Sequence, residues 1–163
     1  MKEKTKTKIL LGIYFLLLVW IILFKLSFSF SDLETLRSIN LIPFYYSNQT
    51  SFHLGEVIDN VLIFIPLGII LKMLNIENKK IIFLGFILSF TLETMQFILS
   101  IGASDITDII TNTIGTIVGL FLYLILEKCL KDKTKTNQIL NILGIIGSVL
   151  FIFLILLLII GNL

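Results

Sequence analysis

The residues of this sequence that could do chemistry are carboxylates and amides that interrupt long apolar stretches. They form three groups: Glu56 with Asp59 and Asn60, Glu93 with Gln96, and Asp105 with Asp108 and Asn112. Ionisable side chains within a membrane span are costly, and they usually face a bundle interior, where they pair or line a functional site. Such groups could bind a cation, hold a cationic or hydroxyl-rich ligand, or activate water as a general base.

The elements that carry these groups are predicted to be transmembrane helices. The chain has 163 residues, is 56% hydrophobic and 15% charged, and has a mean hydropathy of +1.02, which is far more apolar than a soluble domain. A helix needs about 20 mostly apolar residues to cross the hydrocarbon core. The sequence therefore predicts an all-α integral membrane protein, a single transmembrane domain over residues 1–163. Its five predicted spans are about Ile9–Leu26, Val57–Leu74, Ile81–Ser100, Ile106–Leu126 and Ile139–Leu163.

Charge and cysteine content argue against several other classes of protein. The net charge is only +2, and the basic residues gather at helix ends, so we expect no nucleic-acid partner. The single cysteine, Cys129, excludes an intrachain disulfide. The apolar run that follows Lys8 is long and lacks a clean cleavage pattern, so we interpret it as an uncleaved first span.

The distribution of Lys and Arg predicts the direction of the spans, because cytoplasmic connections are enriched in these residues. The opposite side carries only Lys25 and Arg37. We therefore expect a cytoplasmic N-terminus and an extracytoplasmic C-terminus. The residues on the predicted cytoplasmic side are Lys2, Lys4, Lys6, Lys8, Lys72, Lys79, Lys80, Lys128, Lys131, Lys133 and Lys135.

The first connection, about Ser27 to Gly55, is predicted to lie outside and to contain an interfacial segment. Ser31-Asp32-Leu33-Glu34 has the spacing of a capping box, which predicts a short interfacial helix through Ile39. The following stretch, Asn40-Leu41-Ile42-Pro43-Phe44-Tyr45-Tyr46, is too apolar for a free loop. Its proline ends any helix there, and we expect the stretch to pack at the membrane surface.

The predicted topology places the three polar groups at one depth, because the second and fourth spans begin outside and the third ends outside. On the fourth span the polar stripe continues into Gly115 and Gly119, a small-xxx-small packing pattern. A similar stripe on the third span includes Gly85. We predict that the third and fourth helices pack on these stripes as an antiparallel hairpin with a turn at about Ile101–Ser104. In the second span, Pro66 and Gly68 predict a kink with close packing.

The predicted pocket contains up to five carboxylates against Arg37 and His53, with Lys25 as a further cation if it reaches the interface. Protonation by burial, a bound divalent cation, or a cationic or hydroxyl-rich ligand would each balance this charge. The candidates for a metal site are Glu93, Asp105 and Asp108, while the sequence establishes no cofactor. The alternative is a structural network that fixes the register of the helices.

Four motifs follow one another along the chain. They are Asn40-Leu41-Ile42-Pro43-Phe44, Asp59-Asn60-Val61-Leu62-Ile63-Phe64-Ile65-Pro66-Leu67-Gly68, Glu93 with Gln96, and Asp105-Ile106-Thr107-Asp108 followed by Asn112-Thr113-Ile114-Gly115. In this order they resemble the VanZ-like family of bacterial membrane proteins. The resemblance covers residues 12–127 as a core of four helices and leaves residues 139–163 as an additional C-terminal helix. Many members place an arginine shortly before the aspartate pair, where this chain has Gly102-Ala103-Ser104.

The resemblance implies a multi-pass protein of the bacterial cytoplasmic (plasma) membrane, linked to low-level resistance to teicoplanin-type glycopeptides. These antibiotics act on lipid-linked cell-wall precursors at the outer face, where the predicted pocket lies. We therefore expect a cell-envelope protein that binds a lipid headgroup, a lipid-linked precursor, a glycopeptide antibiotic or a membrane partner. The residues expected to form its pocket are Arg37, Glu56, Asp59, Asn60, Glu93, Gln96, Asp105, Asp108 and Asn112.

Two alternatives to this binding protein stay open. One is an intramembrane, cation-dependent enzyme that acts on a lipid-linked envelope substrate. The sequence lacks a GxSxG elbow, an HExxH zinc motif and a nucleotide-binding loop, which favours the non-enzymatic interpretation. The other is a small transporter, which is disfavoured because no inverted repeat is detectable.

Overall fold

The computed structural model describes residues 2–24, 36–44 and 50–161, and these form five long helices and two short strands. All five helices are long and apolar enough to span a membrane. This confirms the predicted helical membrane protein. In chain order the elements are α1 (Lys2–Phe24), β1 (Leu36–Asn40), α2 (Thr50–Met73), α3 (Asn78–Leu99), β2 (Ile101–Asp105), α4 (Ile106–Leu130) and α5 (Lys133–Gly161).

Large apolar side chains cover the outer surface of the helices. Leu16, Phe83, Ile98 and Leu150 are each more than 60% exposed, an arrangement that suits hydrocarbon as the solvent and not water. The inner faces pack a small apolar core along the middle of the bundle. This core consists of Leu18, Leu23, Phe64, Leu67, Leu71, Ile81, Leu92 and Leu120.

Helices α2 and α4 pack against each other through glycines. These glycines are Gly68 of α2 and Gly115 and Gly119 of α4. A Cβ atom at any of the three would overlap the backbone of the partner helix, so only glycine permits this close approach. The prediction that the α4 glycines face α3 is therefore wrong. Small residues permit close approach by any neighbour, and the pattern does not identify which one. Three glycines lie against backbone carbonyl groups: Gly115 against Val61, Gly119 against Ile65, and Gly68 against Thr116.

The predicted stripe on α3 does face α4. A Cβ atom at Gly85 would lie 2.5 Å from the Thr116 hydroxyl oxygen. One turn further along, the Asn112 side-chain amide donates to the Ser89 hydroxyl at 2.9 Å. Helix α4 thus meets α2 on one side and α3 on another.

Two predicted features of the connections are wrong. Residues 36–39 form strand β1 and not the end of an interfacial helix, and residues 101–104 form strand β2 and not a turn. The strands pair in parallel, with Leu36 opposite Ile101 and Asn40 opposite Asp105. Pairing provides hydrogen-bond partners for the backbone N–H and C=O groups of the two extended segments. In an unpaired loop these groups would need other partners. The predicted capping box at residues 31–34 lies outside the described residues, as does Lys25.

Local capping fixes where α3 ends and α4 begins. Ser100 adopts a left-handed conformation with φ of 57°, and its N–H donates to the Phe97 carbonyl at 3.2 Å, which ends α3. The chain passes directly into β2. Asp105 then caps α4, since its carboxylate accepts from the Thr107 N–H at 2.7 Å.

Helices α1 and α5 meet at a second polar contact, which we call the α1–α5 junction and define by Glu3, Thr7 and Asn141. The Thr7 hydroxyl donates to the Asn141 amide oxygen at 3.0 Å. The Asn141 amide nitrogen donates to the Glu3 carboxylate, also at 3.0 Å. Thr7 and Asn141 are each 1% exposed.

Candidate functional site

A cavity of about 320 Å³ lies among α1, α2, α3, α4 and β2, and we call it the polar cavity. Three isoleucines and an alanine complete its wall: Ile21, Ile22, Ile63 and Ala103. The structure thus brings together almost all of the predicted pocket residues. Those that line the cavity are Glu56, Asp59, Asn60, Glu93, Gln96, Asp105, Asp108 and Asn112.

Two residues considered for the pocket cannot be placed in it from the described side chains. The backbone of Arg37 pairs opposite Gly102 in the two strands, but the Arg37 side chain lies outside the described part of the chain. The His53 side chain also lies outside it, although its backbone belongs to α2.

Exposure falls from the rim of the polar cavity to its floor. Glu56 and Asp59, in the first turns of α2, are exposed, and Asn60 is half-buried. The floor is formed by Glu93 and Gln96 of α3, which are 4% and 7% exposed. Asn112 of α4 is 1% exposed and Asp105 and Asp108 are half-buried. A ligand that enters here would move from an exposed acidic rim to a buried floor that combines the carboxyl group of Glu93 with the amides of Gln96 and Asn112.

One wall of the cavity is a hydrogen-bonded contact among α3, β1 and β2. The Asp105 N–H donates to the Glu93 carboxylate at 3.0 Å, and the Ser104 hydroxyl donates to the Glu93 carbonyl at 2.7 Å. The Asn40 amide donates to the Asp105 carboxylate at 2.9 Å. These bonds fix both carboxylates at the wall and bring Asn40 next to the site.

Further amide contacts tie the remaining helices together around the cavity. The Asn60 amide donates to the Asp108 carboxylate at 2.8 Å, which joins α2 to α4. The Gln96 amide donates to the Ile22 carbonyl at 2.9 Å, which joins α3 to α1. The polar residues therefore shape the cavity as well as line it.

Two buried amide oxygens at the cavity floor have no hydrogen-bond partner among the described residues: Gln96 Oε1 and Asn112 Oδ1. The orientation of Gln96 is fixed, because the Ile22 carbonyl can only accept and so must face the amide nitrogen. Leaving a buried polar atom unsatisfied costs about 1–3 kcal/mol, and such atoms are rare in folded proteins. Both side chains line the polar cavity, so each brings an unused hydrogen-bonding atom beside it. For Gln96 this atom is an acceptor, whereas the contact with the Ser89 hydroxyl, which can donate or accept, does not fix the orientation of Asn112.

The carboxylates do not form a ready metal centre in the part of the chain that the structure describes. There, no three Asp, Glu, His or Cys side chains lie close enough together to hold a metal ion. The three candidates, Glu93, Asp105 and Asp108, all line the polar cavity, and a cation site at these residues stays a prediction.

Two site contacts could not be expected from spacing in the sequence. Asn40 reaches Asp105 across 65 residues of chain, and no periodicity links a residue of one connection to the cap of a later helix. The Ile22 carbonyl contributes through its backbone, which no side-chain pattern reveals. The signal available for Asn40 was its place in the first of the family-like motifs.

Comparisons with known proteins agree with these motifs. A family model described as VanZ/LLP1 matches residues 11–127. The chain is also similar to Protein VanZ of Enterococcus faecium, with 41% identity over 150 residues that cover 88% of this chain and 88% of that protein. No solved structure matches the chain. The matched family region and the extent of this identity show that the chain belongs to the VanZ family.

Proposed function

We propose that this protein is a cell-envelope membrane protein that binds a ligand in the polar cavity, without chemical conversion, from the extracytoplasmic side of the bacterial plasma membrane. The ligand would be a lipid headgroup, a lipid-linked cell-wall precursor or a glycopeptide antibiotic. The observation that carries this proposal is the pair of buried, unpartnered amide oxygens at the floor of an acidic cavity. A purely structural network would be expected to satisfy its own buried atoms.

The position of the cavity relative to the lysines supports its outward direction. The cavity is lined by the N-terminal turns of α2 and α4 and the C-terminal turns of α3. The connections at the opposite ends of these helices carry the lysine clusters Lys72–Lys80 and Lys128–Lys135. Since basic connections stay in the cytoplasm, the N-terminus would be cytoplasmic, and the cavity and the C-terminus would face outward.

Membership of the VanZ family supplies the cellular setting of the proposal. The family resemblance links such proteins to low-level resistance to teicoplanin-type glycopeptides, which act at the outer face of the membrane. A ligand site that opens at that face would let the protein act on the drug, on its target or on a lipid close to both. We propose such a role in resistance for this chain.

The functional test compares two matched carboxylate-to-amide variants in a glycopeptide-susceptible host. Asp108→Asn removes charge from the cavity but keeps an oxygen that can accept from Asn60. Glu77→Gln makes the same change at an exposed position in the α2–α3 connection, where Glu77 pairs with Lys80 at 3.5 Å. At equal protein levels, we expect teicoplanin tolerance to fall to the vector level in Asp108→Asn and to stay at the wild-type level in Glu77→Gln. Full tolerance in Asp108→Asn would refute the proposal.

The direction of the cavity is tested by labelling intact cells with a membrane-impermeant maleimide. Cys129, near the end of α4, is exposed and would face the cytoplasm, so the wild-type protein should stay unlabelled until the cells are opened. In a Cys129→Ser background, Asp59→Cys at the cavity rim should be labelled in intact cells. The reverse pattern would contradict the proposed orientation.

A further inference from the structure

We propose that the ligand of the polar cavity is a membrane lipid whose headgroup ends in a primary ammonium, and that its hydrocarbon chain lies in an apolar groove bordering the cavity. This inference rests on the proposed function and identifies the chemical class of its ligand. Three independent features support it: the unused hydrogen-bonding capacity of the cavity, its charge, and the groove.

The first feature is the unused acceptor of Gln96, whose amide orientation is fixed by the Ile22 carbonyl. Each of the three amide nitrogens already donates: Asn60 to Asp108, Gln96 to Ile22, and Asn112 to Ser89. The oxygens of Gln96 and Asn112 receive nothing from the described residues. An ammonium group offers three N–H donors and no acceptor, so it matches the atoms left open.

The second feature is the charge of the lining. Five carboxyl groups line the cavity, and none of its described lining side chains belongs to Lys or Arg. This lining favours a headgroup that presents a positive group to the carboxyl groups over one that presents only neutral or negative groups.

The third feature is a groove of about 610 Å³ on the outer side of α3 and α4, which we call the apolar groove. Phe86 and Phe90 stack there with ring centroids 6.3 Å apart, and they are 43% and 51% exposed. Its other apolar lining residues include Phe97, Ile109, Ile110 and Ile114. A groove with this lining on a transmembrane bundle suits a hydrocarbon chain.

The groove and the polar cavity share part of their walls. Glu93 and Asp105 line both spaces, so an apolar chain in the groove would end beside the acidic site. A soluble amine would leave the apolar groove unoccupied, and a purely apolar molecule would make no polar contact with the carboxyl groups. The arrangement therefore favours an amphiphile, and in a membrane the abundant amphiphile is lipid.

The headgroup is tested by native mass spectrometry of the full chain released from nanodiscs that hold equal amounts of three phospholipids with identical chains. Phosphatidylethanolamine has an ammonium with N–H donors, phosphatidylcholine has the same net charge without N–H donors, and phosphatidylglycerol has hydroxyl donors without a cation. We expect phosphatidylethanolamine to be retained about tenfold more than either of the others. Equal retention of all three, or preference for phosphatidylcholine or phosphatidylglycerol, would overturn the ammonium assignment.

The groove is tested by a matched pair of tryptophan substitutions on α3. Thr91 and Thr94 are both exposed, and each donates to the carbonyl four residues earlier at 2.7 Å, but only Thr94 lines the groove. Thr94→Trp should fill the groove and reduce retention of phosphatidylethanolamine about tenfold, while Thr91→Trp should leave it unchanged. Equal retention in the two variants would overturn the placement of the chain.

Failure of this inference can be distinguished from failure of the proposed function. If the lipids are retained equally but Asp108→Asn still removes teicoplanin tolerance, the ammonium lipid is wrong and the binding function stands. If Asp108→Asn changes neither tolerance nor retention of any lipid, the cavity is not a binding site and both are wrong.

Discussion

The polar cavity and the α1–α5 junction are two buried polar regions of one bundle. They differ in how completely their buried polar atoms find hydrogen-bond partners within the protein. In the junction, the amide oxygen of Asn141 accepts from Thr7 and its nitrogen donates to Glu3. In the polar cavity, the amides of Gln96 and Asn112 use their nitrogens but leave their oxygens open. Among the described residues, these two oxygens are the only buried side-chain nitrogen or oxygen atoms without a hydrogen-bond partner.

We interpret the difference as one between polar residues that hold helices together and polar residues that bind a ligand. Both regions lie in spans where a polar group must find a partner or be costly. The polar side chains of the junction bond to one another. We therefore interpret the junction as a structural contact that holds α5 against α1. The polar cavity keeps buried polar atoms without a hydrogen-bond partner among the described residues, which we interpret as capacity for a ligand.

The largest effect is expected at the glycine contact between α2 and α4. These two helices line the polar cavity and take no part in the α1–α5 junction. Gly119→Leu would drive a side chain into the Ile65 carbonyl, and we expect a loss of more than about 3 kcal/mol of stability, because backbone cannot easily move aside. The matched Gly147→Leu places the same side chain on α5 where nothing lies within 4 Å. For both variants, stability is measured by thermal unfolding in detergent and by the amount of protein in the membrane. Equal losses in the two variants would show that the α2–α4 contact is not special.

A smaller loss is expected at the α1–α5 junction. Asn141→Leu removes the partner of Thr7 and Glu3 and should lower the free energy of unfolding by about 1–3 kcal/mol, without changing ligand retention. Gln138→Leu is the control, since Gln138 is an exposed amide on the same helix. If Asn141→Leu abolished retention at unchanged stability, the junction would be part of the ligand site and the comparison would fail.

The rim of the cavity should show the opposite behaviour. Asp59 is exposed, so Asp59→Asn should change the free energy of unfolding by less than about 0.5 kcal/mol. It should nevertheless reduce retention of phosphatidylethanolamine, because it removes a negative charge from the site. Loss of stability with unchanged retention would place Asp59 with the structural residues.

The contents of the polar cavity could be predicted from the sequence because a membrane relates sequence position to depth. Because consecutive spans cross in opposite directions, Glu93 near the end of α3 and Asp105, which caps α4, must lie at one level. Helical phase then groups residues such as Asp108 and Asn112 on one face. All of the predicted pocket residues with described side chains do line one cavity.

The remaining features depend on contacts between distant parts of the chain, which periodicity does not determine. The pairing of β1 with β2 joins residues 36–40 to residues 101–105, and neither segment has a strong strand pattern of its own. The glycine stripe on α4 indicated close packing correctly, but only the assembled bundle shows that Gly115 and Gly119 meet α2. The bond from Asn40 to Asp105 follows from the same strand pairing.

The smallest effect is expected from divalent cations. Because no three metal-binding side chains converge in the described part of the chain, millimolar Mg²⁺ or Ca²⁺ should leave the unfolding temperature of the purified protein unchanged. Chelation should have no effect either. Stabilisation by either ion in the wild type that is absent from Glu93→Gln would instead establish the cation site at Glu93, Asp105 and Asp108.

The most direct test of the central claim is an experimental structure of the protein in membrane-derived nanodiscs at a resolution that shows bound lipids and waters. We predict density in the polar cavity among Asn60, Glu93, Asp105 and Asp108. We also predict a donor atom within hydrogen-bonding distance of Gln96 Oε1 and continuous density along the apolar groove. A cavity that contains only water, or one that has closed so that protein donors satisfy both amide oxygens, would contradict it.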